Sequence, residues 1–332
     1  MSFVVMAGCY SPNVLDGAFK CSADQDFVCP EGLSCDMPSG LCVHGSVPDM
    51  AIYDSSVTFD LTLTPIARDC DQRVRDGAFS NLTNLGAAVN SAGDESGLSL
   101  SLDDKQIYFL DGAGALQSAT LSADGHSAGA PTAVTLTGAP TTLSGAGSFG
   151  TDGSYWFAGA NGNASGVYQA TKVSITSFNV GTAHLPMATA TCLIADVALT
   201  DGDSKGDMYV SWPLAGCATG TMVAQGNVDK QLGAFVGVLP VMGYHAPSVV
   251  KGGHTMLVSS TGGAGRLSYA QRPSPDVTWT GPTVLPLGGL GDPSGRDVQA
   301  IVNQSCTHLY LVASRAGGHG GLDLWAADIA PQ

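Results

Sequence analysis

Charge is the scarcest commodity in this chain. Asp, Glu, Lys and Arg make up only 12% of its 332 residues, about half the usual share. So few charges cannot coat long surface helices, and apolar patterning at helical spacing is absent as well. Basic residues are scarcer still, with 13 Lys and Arg against 28 Asp and Glu and a net charge of −15. That balance excludes phosphate-directed nucleic-acid binding, which needs a basic face, and adhesion to anionic lipid through a polybasic patch. No apolar run approaches the ~20 residues of a membrane-spanning helix. The seven histidines (His44, His126, His184, His245, His254, His308 and His319) show no H-x-x-x-H or Cys–His spacing, which argues against a transition-metal site. Gly317–Gly321 lacks a Lys and a following helix, so it is a turn and not a phosphate loop. What the chain has in quantity is glycine, 44 residues of it, with 44% hydrophobic residues. This is the composition of short strands and tight turns around a sizeable core.

Nine cysteines bound the compartment. Cys21, Cys29, Cys35 and Cys42 are separated by seven, five and six residues, which does not supply the paired C-x2–4-C spacing of a zinc module. A Pro- and Gly-punctuated stretch with no core of its own holds together by cross-links, so two disulfides are expected, Cys21–Cys35 with Cys29–Cys42 preferred among three connectivities. Residues 43–67 read as an extended linker. Upstream, Met1-Ser-Phe-Val-Val-Met-Ala-Gly-Cys9 resembles the end of a bacterial lipoprotein signal, in which the residue after the small pair is lipidated. The run lacks a basic n-region and is shorter than a normal h-region, so the true start is expected further upstream. The implied organisation is a signal remnant (1–8), a lipid-anchor tether (9–20), a cysteine-rich module (21–42), the linker and a main domain over 68–332. Setting Cys9 aside leaves eight cysteines, an even number suited to an oxidising compartment.

The main domain repeats. Gln106-Ile-Tyr-Phe-Leu110, Ser154-Tyr-Trp-Phe-Ala158, Asp207-Met-Tyr-Val-Ser211, Thr255-Met-Leu-Val-Ser259 and Thr307-His-Leu-Tyr-Leu311 place Tyr108, Trp156, Tyr209, Leu257 and Tyr310 at steps of 48, 53, 48 and 53 residues. Each run follows another strand-like run and precedes a turn and further strands. Four strands at a period near fifty residues mark a β-propeller blade. Leu85–Phe109, with its acidic pair before the inner strand, resembles the WD40-like repeat of Tol-associated periplasmic propellers, and Ser314–Ala327 resembles its other half, a Gly-rich turn followed by Asp-Leu-Trp. The cysteine-rich module is similar to those of surface lipoproteins of myxobacteria-like organisms. The expected fold is all-β, a five-bladed β-propeller preceded by a small disulfide-rich module. The run Ala78–Leu85 should close the last blade in a one-plus-three arrangement, because a propeller must pair its edges. In that register Cys70 should meet Cys306, and Cys192 should meet Cys217.

Ligands of a propeller meet the connections into the inner strands and the turns between second and third strands. Those positions hold Asp94, Glu95, Ser144, Thr191, Tyr244, His245, Arg296 and Asp297, with Asp111, Trp212, Arg315 and His319 on the turns. The ligand-binding set is read as Asp94, Glu95, Trp212, Tyr244, His245, Arg296, Asp297 and Arg315. Asp196 lies in an inner strand, yet the second and fourth blades offer no inner carboxylate, so the three-acid set of arabinanase-type glycosidases is not met. Asp201, Asp203 and Asp207 sit at spacings that echo a calcium loop. Lys205 at a ligand position and the missing bidentate Glu make a plain hairpin turn the first reading there and Ca2+ the second; no other cofactor is expected. The reading favoured is an envelope lipoprotein, periplasmic or on the outer-membrane surface. Its propeller binds a protein or glycan without catalysis, and it meets the membrane through the lipid alone. A polysaccharide hydrolase is the alternative.

Overall fold

A computed structural model describes residues 70–138, 140, 142–145, 147–161, 164–187, 196–199, 207–213, 221–227, 236–237, 239, 243–261, 265–274, 277–287, 290 and 295–331, with the backbone of 33–36 and 41–44. The chain divides into two compact units, Met1–Thr64 and Pro65–Gln332. In the first, β1 (Leu33–Asp36) and β2 (Leu41–His44) form an antiparallel hairpin in which Cys35 lies opposite Cys42. The lipidation expected at Cys9 and the pairing expected among Cys21, Cys29, Cys35 and Cys42 lie outside the described residues or their side chains.

The second unit opens with a helix that the sequence pattern did not suggest, α1 (Cys70–Arg75). It is one and a half turns long, too short to show a helical period, and Val74 is buried against the core. The strands are β3 (Phe79–Asn84), β4 (Ser96–Leu100), β5 (Gln106–Leu110), β6 (Leu116–Thr120), β7 (Thr132–Ala133), β8 (Thr135–Thr137), β9 (Thr142–Leu143), β10 (Ser148–Phe149), β11 (Tyr155–Asn161), β12 (Ala164–Ser174) and β13 (Ser177–Met187). They continue with β14 (Val197–Leu199), β15 (Asp207–Pro213), β16 (Thr221–Asn227), β17 (Val236–Gly237), β18 (Tyr244–Val249), β19 (Thr255–Ser260), β20 (Leu267–Gln271), β21 (Thr280–Val284), β22 (Arg296–Val302), β23 (His308–Ser314) and β24 (Asp323–Ile329).

These strands form four four-stranded blades, not the five equal ones expected: β4-β5-β6-β7, β14-β15-β16-β17, β18-β19-β20-β21 and β22-β23-β24-β3. The segment read as the second blade is a six-stranded sheet, β10-β11-β12-β13-β8, with β9 also pairing β11. Two local features account for the difference. Ser144-Gly-Ala-Gly147 breaks the inner strand into β9 and β10, since glycine weakens a strand and a Cβ at Gly147 would run into the Tyr155 ring. The eleven-residue β12 and β13 also present a long outer edge, which β8 covers by parallel pairing at Ser177, Phe178 and Asn179. The run Ala133–Leu136, read as one outer strand, is therefore shared between two sheets.

The strand order within the last blade is the one-plus-three closure. β3, from the start of the unit, pairs antiparallel with β24, matching Trp325 to Asn84 and Ile329 to Phe79. Cys70 is bonded to Cys306 with a Cα separation of 5.8 Å across 236 residues of chain. Cys192 and Cys217 lie outside the described residues.

Burial explains the repeat. Tyr108, Trp156, Tyr209, Leu257 and Tyr310, one in each second strand, are all at most 3% exposed. Each second strand is apolar on both faces because each sheet is covered on both sides. In β5, Ile107 and Phe109 pack with Tyr310, Val312 and Leu324, while Tyr108 and Leu110 pack with Phe149, Tyr155 and Phe178. In β23, Leu309 and Leu311 turn the other way to meet Leu257, Leu267 and Trp325. Each such side chain contributes roughly 1.5–3 kcal/mol of transfer free energy.

Candidate functional site

Antiparallel order puts the entries to the inner strands and the turns between second and third strands at one end of the blades. The other end carries the turns between first and second strands. The first end holds the candidate binding residues. Asp297, in β22, is only 8% exposed, and its Oδ1 receives the Arg315 guanidinium at 2.5 Å. Arg315 also donates to the Leu290 carbonyl. The Asp297 carbonyl accepts from Ser259 Oγ of the neighbouring blade at 2.8 Å. Arg296, one residue earlier, faces solvent.

The β14–β17 and β18–β21 blades meet at Asp196. Its Oδ2 accepts from the Ala246 amide at 3.1 Å and from Ser211 Oγ at 3.2 Å. Ala246 has a φ of 50° at a bulge between His245 and Ser248, and its N–H also reaches Ser211 Oγ at 2.9 Å. His245 stands beside this group with its basicity lowered by burial, opposed by Asp196 and reinforced by Arg296. Tyr244 is half-buried and packs against the cluster that contains Tyr209 and Trp279.

Asp94 and Glu95 serve the seam between the first and last blades. Asp94 Oδ1 accepts from the Leu322 amide at 2.9 Å, and the Glu95 amide donates to the Leu322 carbonyl at 2.8 Å. The Gly-rich turn packs so tightly here that a Cβ on Gly320 would strike Ser91 and Ala92, and one on Gly321 would strike Asp94. That contact gives the Gly317–Gly321 run its physical reason. The Glu95 side chain is 1% exposed, with Oε1 accepting from Ser91 N at 3.1 Å and Ser91 Oγ at 2.5 Å. Burial raises its carboxyl above the ordinary 4.5, hydrogen bonds from Ser91 oppose the rise, and nearby Asp323 adds to it. Ser91 carries no motif, and the sequence marks Asp323 only as the Asp of the Asp-Leu-Trp run, not as a site residue.

The remaining residues divide simply. Asp111 caps its own turn, accepting from Ala113 N at 3.0 Å, Ala115 N at 2.9 Å and Gln117 Nε2 at 2.7 Å. His319 is exposed and gives its amide to Asp323 Oδ2 at 2.8 Å. Ser144 is half-buried at the broken inner strand. Thr191, Asp201, Asp203 and the side chains of Trp212 and Asp207 lie outside what the structure describes, so the calcium reading does too. Among the described residues no helix is long and apolar enough to cross a membrane.

The central channel is lined by the first strands of the four blades and by β10, with Ser99, Ser148, Ser248 and Gln299 among its walls. The cavity among them measures about 50 Å³, space for ordered water. Gln299 closes it: its Oε1 accepts from Leu98 N at 2.9 Å and its Nε2 donates to the Leu98 carbonyl at 2.7 Å. One amide thus stands in for a strand between the last blade and the first. The first end of the blades carries the exposed Arg296 with the half-buried Tyr244 and His245. Of the carboxylates Asp94, Glu95, Asp196 and Asp297, Asp94 and Asp196 bond across to a neighbouring blade, Asp297 is held by Arg315 of its own blade, and Glu95 accepts from Ser91 of its own turn.

No protein-family model and no curated protein matches the chain. Among solved structures, it is similar to a GH43_1 enzyme from Xanthomonas citri, with 13% identity over 78% of this chain and 92% of that one and a TM-score of 0.51. The same enzyme complexed with xylose gives 15% identity over the same shares and a TM-score of 0.51. A putative TolB from Agrobacterium tumefaciens is also found, at 12% identity over 75% of this chain and 89% of that one, with a TM-score of 0.45. Likeness at such identities speaks to the fold alone, and that fold is an all-β propeller.

Proposed function

We propose that the propeller is a binding module of a bacterial cell-envelope lipoprotein, taking a protein or glycan ligand on the surface that carries Arg296, Tyr244 and His245, with Trp212 as a further contact expected from the repeat. The observation that supports this reading most is the state of the carboxylates. Acid–base hydrolysis needs two carboxyl groups aimed at one bond. Here Asp297 is held by Arg315, Asp196 by Ala246 and Ser211, and Glu95 by Ser91. An exposed Arg beside a Tyr and a His is instead a combination enriched at binding hot spots. Anchoring rests on Cys9: replacing it by Ala should move the full-length protein from the detergent phase to the aqueous one.

One observation favours a polysaccharide hydrolase as the second reading. The fold is shared with a GH43_1 enzyme, and Glu95 is buried with a raised carboxyl, the property of a general acid. A single panel separates the two. Wild type, Arg296→Ala, Tyr244→Ala, Trp212→Ala, Glu95→Gln and Asp297→Asn are scored for retention on immobilised peptidoglycan, lipopolysaccharide and xylan, and for release of reducing sugar from xylan and arabinan. Binding predicts retention weakened by more than ~1 kcal/mol in each of the first three variants, with no turnover anywhere. Turnover by the wild type that Glu95→Gln or Asp297→Asn abolishes would establish the hydrolase, because lost proton transfer costs roughly 10²–10⁴-fold.

A further inference from the structure

At the opposite end of the blades, three side chains from distant parts of the chain converge. Nε2 of His126 lies 2.7 Å from Asp328 Oδ1, and Nε2 of His308 lies 3.3 Å from the same oxygen. The three atoms fall within 4.8 Å of one another. The two imidazole rings stand edge to face with centroids 5.3 Å apart. His126 and Asp328 are 202 positions apart, so no local spacing announces the group.

Each of the three is oriented by a second contact on its far side. Thr83 Oγ1 meets Nδ1 of His126 at 2.7 Å, Thr307 Oγ1 meets Nδ1 of His308 at 2.8 Å, and Asn81 Nδ2 donates to Asp328 Oδ2 at 2.6 Å. A ligating histidine characteristically has its other nitrogen hydrogen-bonded, which fixes the tautomer and presents a lone pair at the metal. In the tautomer with both Nδ1 atoms donating to threonine, two Nε2 lone pairs and a carboxylate oxygen face one spot, an arrangement that a cation between them satisfies.

The surrounding loop is shaped for the approach. Ser122 and Asp124 tie the turn, with Ser122 Oγ donating to Asp124 Oδ1 at 2.5 Å and the His126 amide donating to the same oxygen at 3.2 Å. Gly125 has a φ of +73°, and a Cβ there would come within 2.9 Å of the His308 ring and of the Tyr310 hydroxyl. Any other residue at 125 would push His126 away from His308.

We propose that His126, His308 and Asp328 form a divalent transition-metal site of the zinc type, through Nε2, Nε2 and Oδ1. Two imidazoles and one carboxylate suit that class of ion and leave a further coordination position for water. Ligand atoms about 2.1 Å from a tetrahedral ion lie about 3.4 Å from one another. The His308–Asp328 separation of 3.3 Å meets that, the His126–Asp328 pair at 2.7 Å would open, and all three atoms lie within 4.8 Å of one another. The side chains are 21%, 15% and 31% exposed, so an ion can enter from solvent without unfolding. His126 belongs to the loop after β6, His308 opens β23, and Asp328 of β24 lies opposite Ser80 of β3. A bound ion would therefore tie the first blade to the closing one.

The test uses full-length protein with its disulfides intact, in a Cys9→Ser background, stripped with EDTA and dialysed. Titration with Zn2+ by calorimetry should give one site per chain, and Co2+ should give visible d–d absorption that Zn2+ displaces. His126→Ala, His308→Ala and Asp328→Asn should each weaken Zn2+ binding at least tenfold, whereas His319→Ala should not. Zn2+ in large excess over its Kd should raise the wild-type Tm by more than about 5 °C, and the His126→Ala Tm by far less. The wild-type titration decides without any variant: absence of Zn2+ uptake overturns the proposal. Uptake that all three substitutions leave unchanged overturns it equally, because the ion would then sit elsewhere.

Discussion

The first blade has two neighbours, and the chain joins them by different means. Toward the second sheet it runs on without interruption, and the junction is aromatic. Tyr108 packs 5.0 Å from Phe149 and 6.0 Å from Phe178 between ring centroids, and the Tyr108 hydroxyl, with its pKa pushed up to about 12 by burial, donates to the Ile175 carbonyl at 3.1 Å. Toward the last blade the chain is continuous only through β3, which runs on into β4, and paired polar contacts join the rest of that blade, from the far end of the chain, to the first. Asn90 brackets Leu324 at 2.7 and 3.0 Å, Gln299 brackets Leu98, and the Asp104 carboxylate accepts the amides of Gln304 at 2.7 Å and Ser305 at 2.8 Å. The disulfide Cys70–Cys306 adds a covalent stitch in the closing blade. The contrast is instructive. Sheets that follow one another along the chain are brought together cheaply and need only complementary surfaces, while bringing the three C-terminal strands back to β3 and the first blade must overcome the entropy of a loop spanning most of the domain.

The strongest way to break this asymmetry is to remove the stitch. Cys306→Ser should lower unfolding stability by up to about 5 kcal/mol, the chain-entropy value for so long a loop, measured by urea denaturation against the wild type. On the other side of the first blade, Phe178→Ala should cost about 3–5 kcal/mol. Hydrogen exchange should then show the loss concentrated in β11, β12 and β13, with the closing blade still protected. Gln299→Ala should cost about 2–3 kcal/mol, because it leaves the amide and carbonyl of Leu98 buried without their partner. Its exchange signature should be the reverse, with β4 and β22 opening first. Equal loss of protection at both junctions in either variant would show that the ring opens as one unit and that the two seams do not differ.

Comparison of residues shows how far the fold was legible. The anchors Tyr108, Tyr209 and Tyr310 announced their burial because a strand covered on both faces has to be apolar at consecutive positions. Cys70 and Cys306 could be paired because antiparallel order dictates which strand ends are adjacent. The second sheet was not legible: Gly145 and Gly147 break a strand without altering the repeat, and β8 changes sheets only because β13 is long enough to present an edge. At the candidate site the positions Arg296, Asp297 and Arg315 followed from the repeat, but their states did not. Nothing in the sequence separates the exposed Arg296 from the Asp297 that Arg315 holds.

By itself the sequence determined an all-β chain built on a period near fifty residues, its apolar second strands, its closure by an N-terminal strand and the partner of Cys306. These follow from local alternation and from strand order, which are properties of neighbours along the chain. Only the tertiary structure decided that Glu95 is buried beside Ser91, that Gln299 clasps Leu98, and that His126 meets His308 and Asp328. The Gln299 clasp and the His126–His308–Asp328 group join residues from different blades or turns, and the burial of Glu95 comes from the last blade packing over its turn. All three depend on how the sheets pack in three dimensions, which no spacing along the sequence encodes.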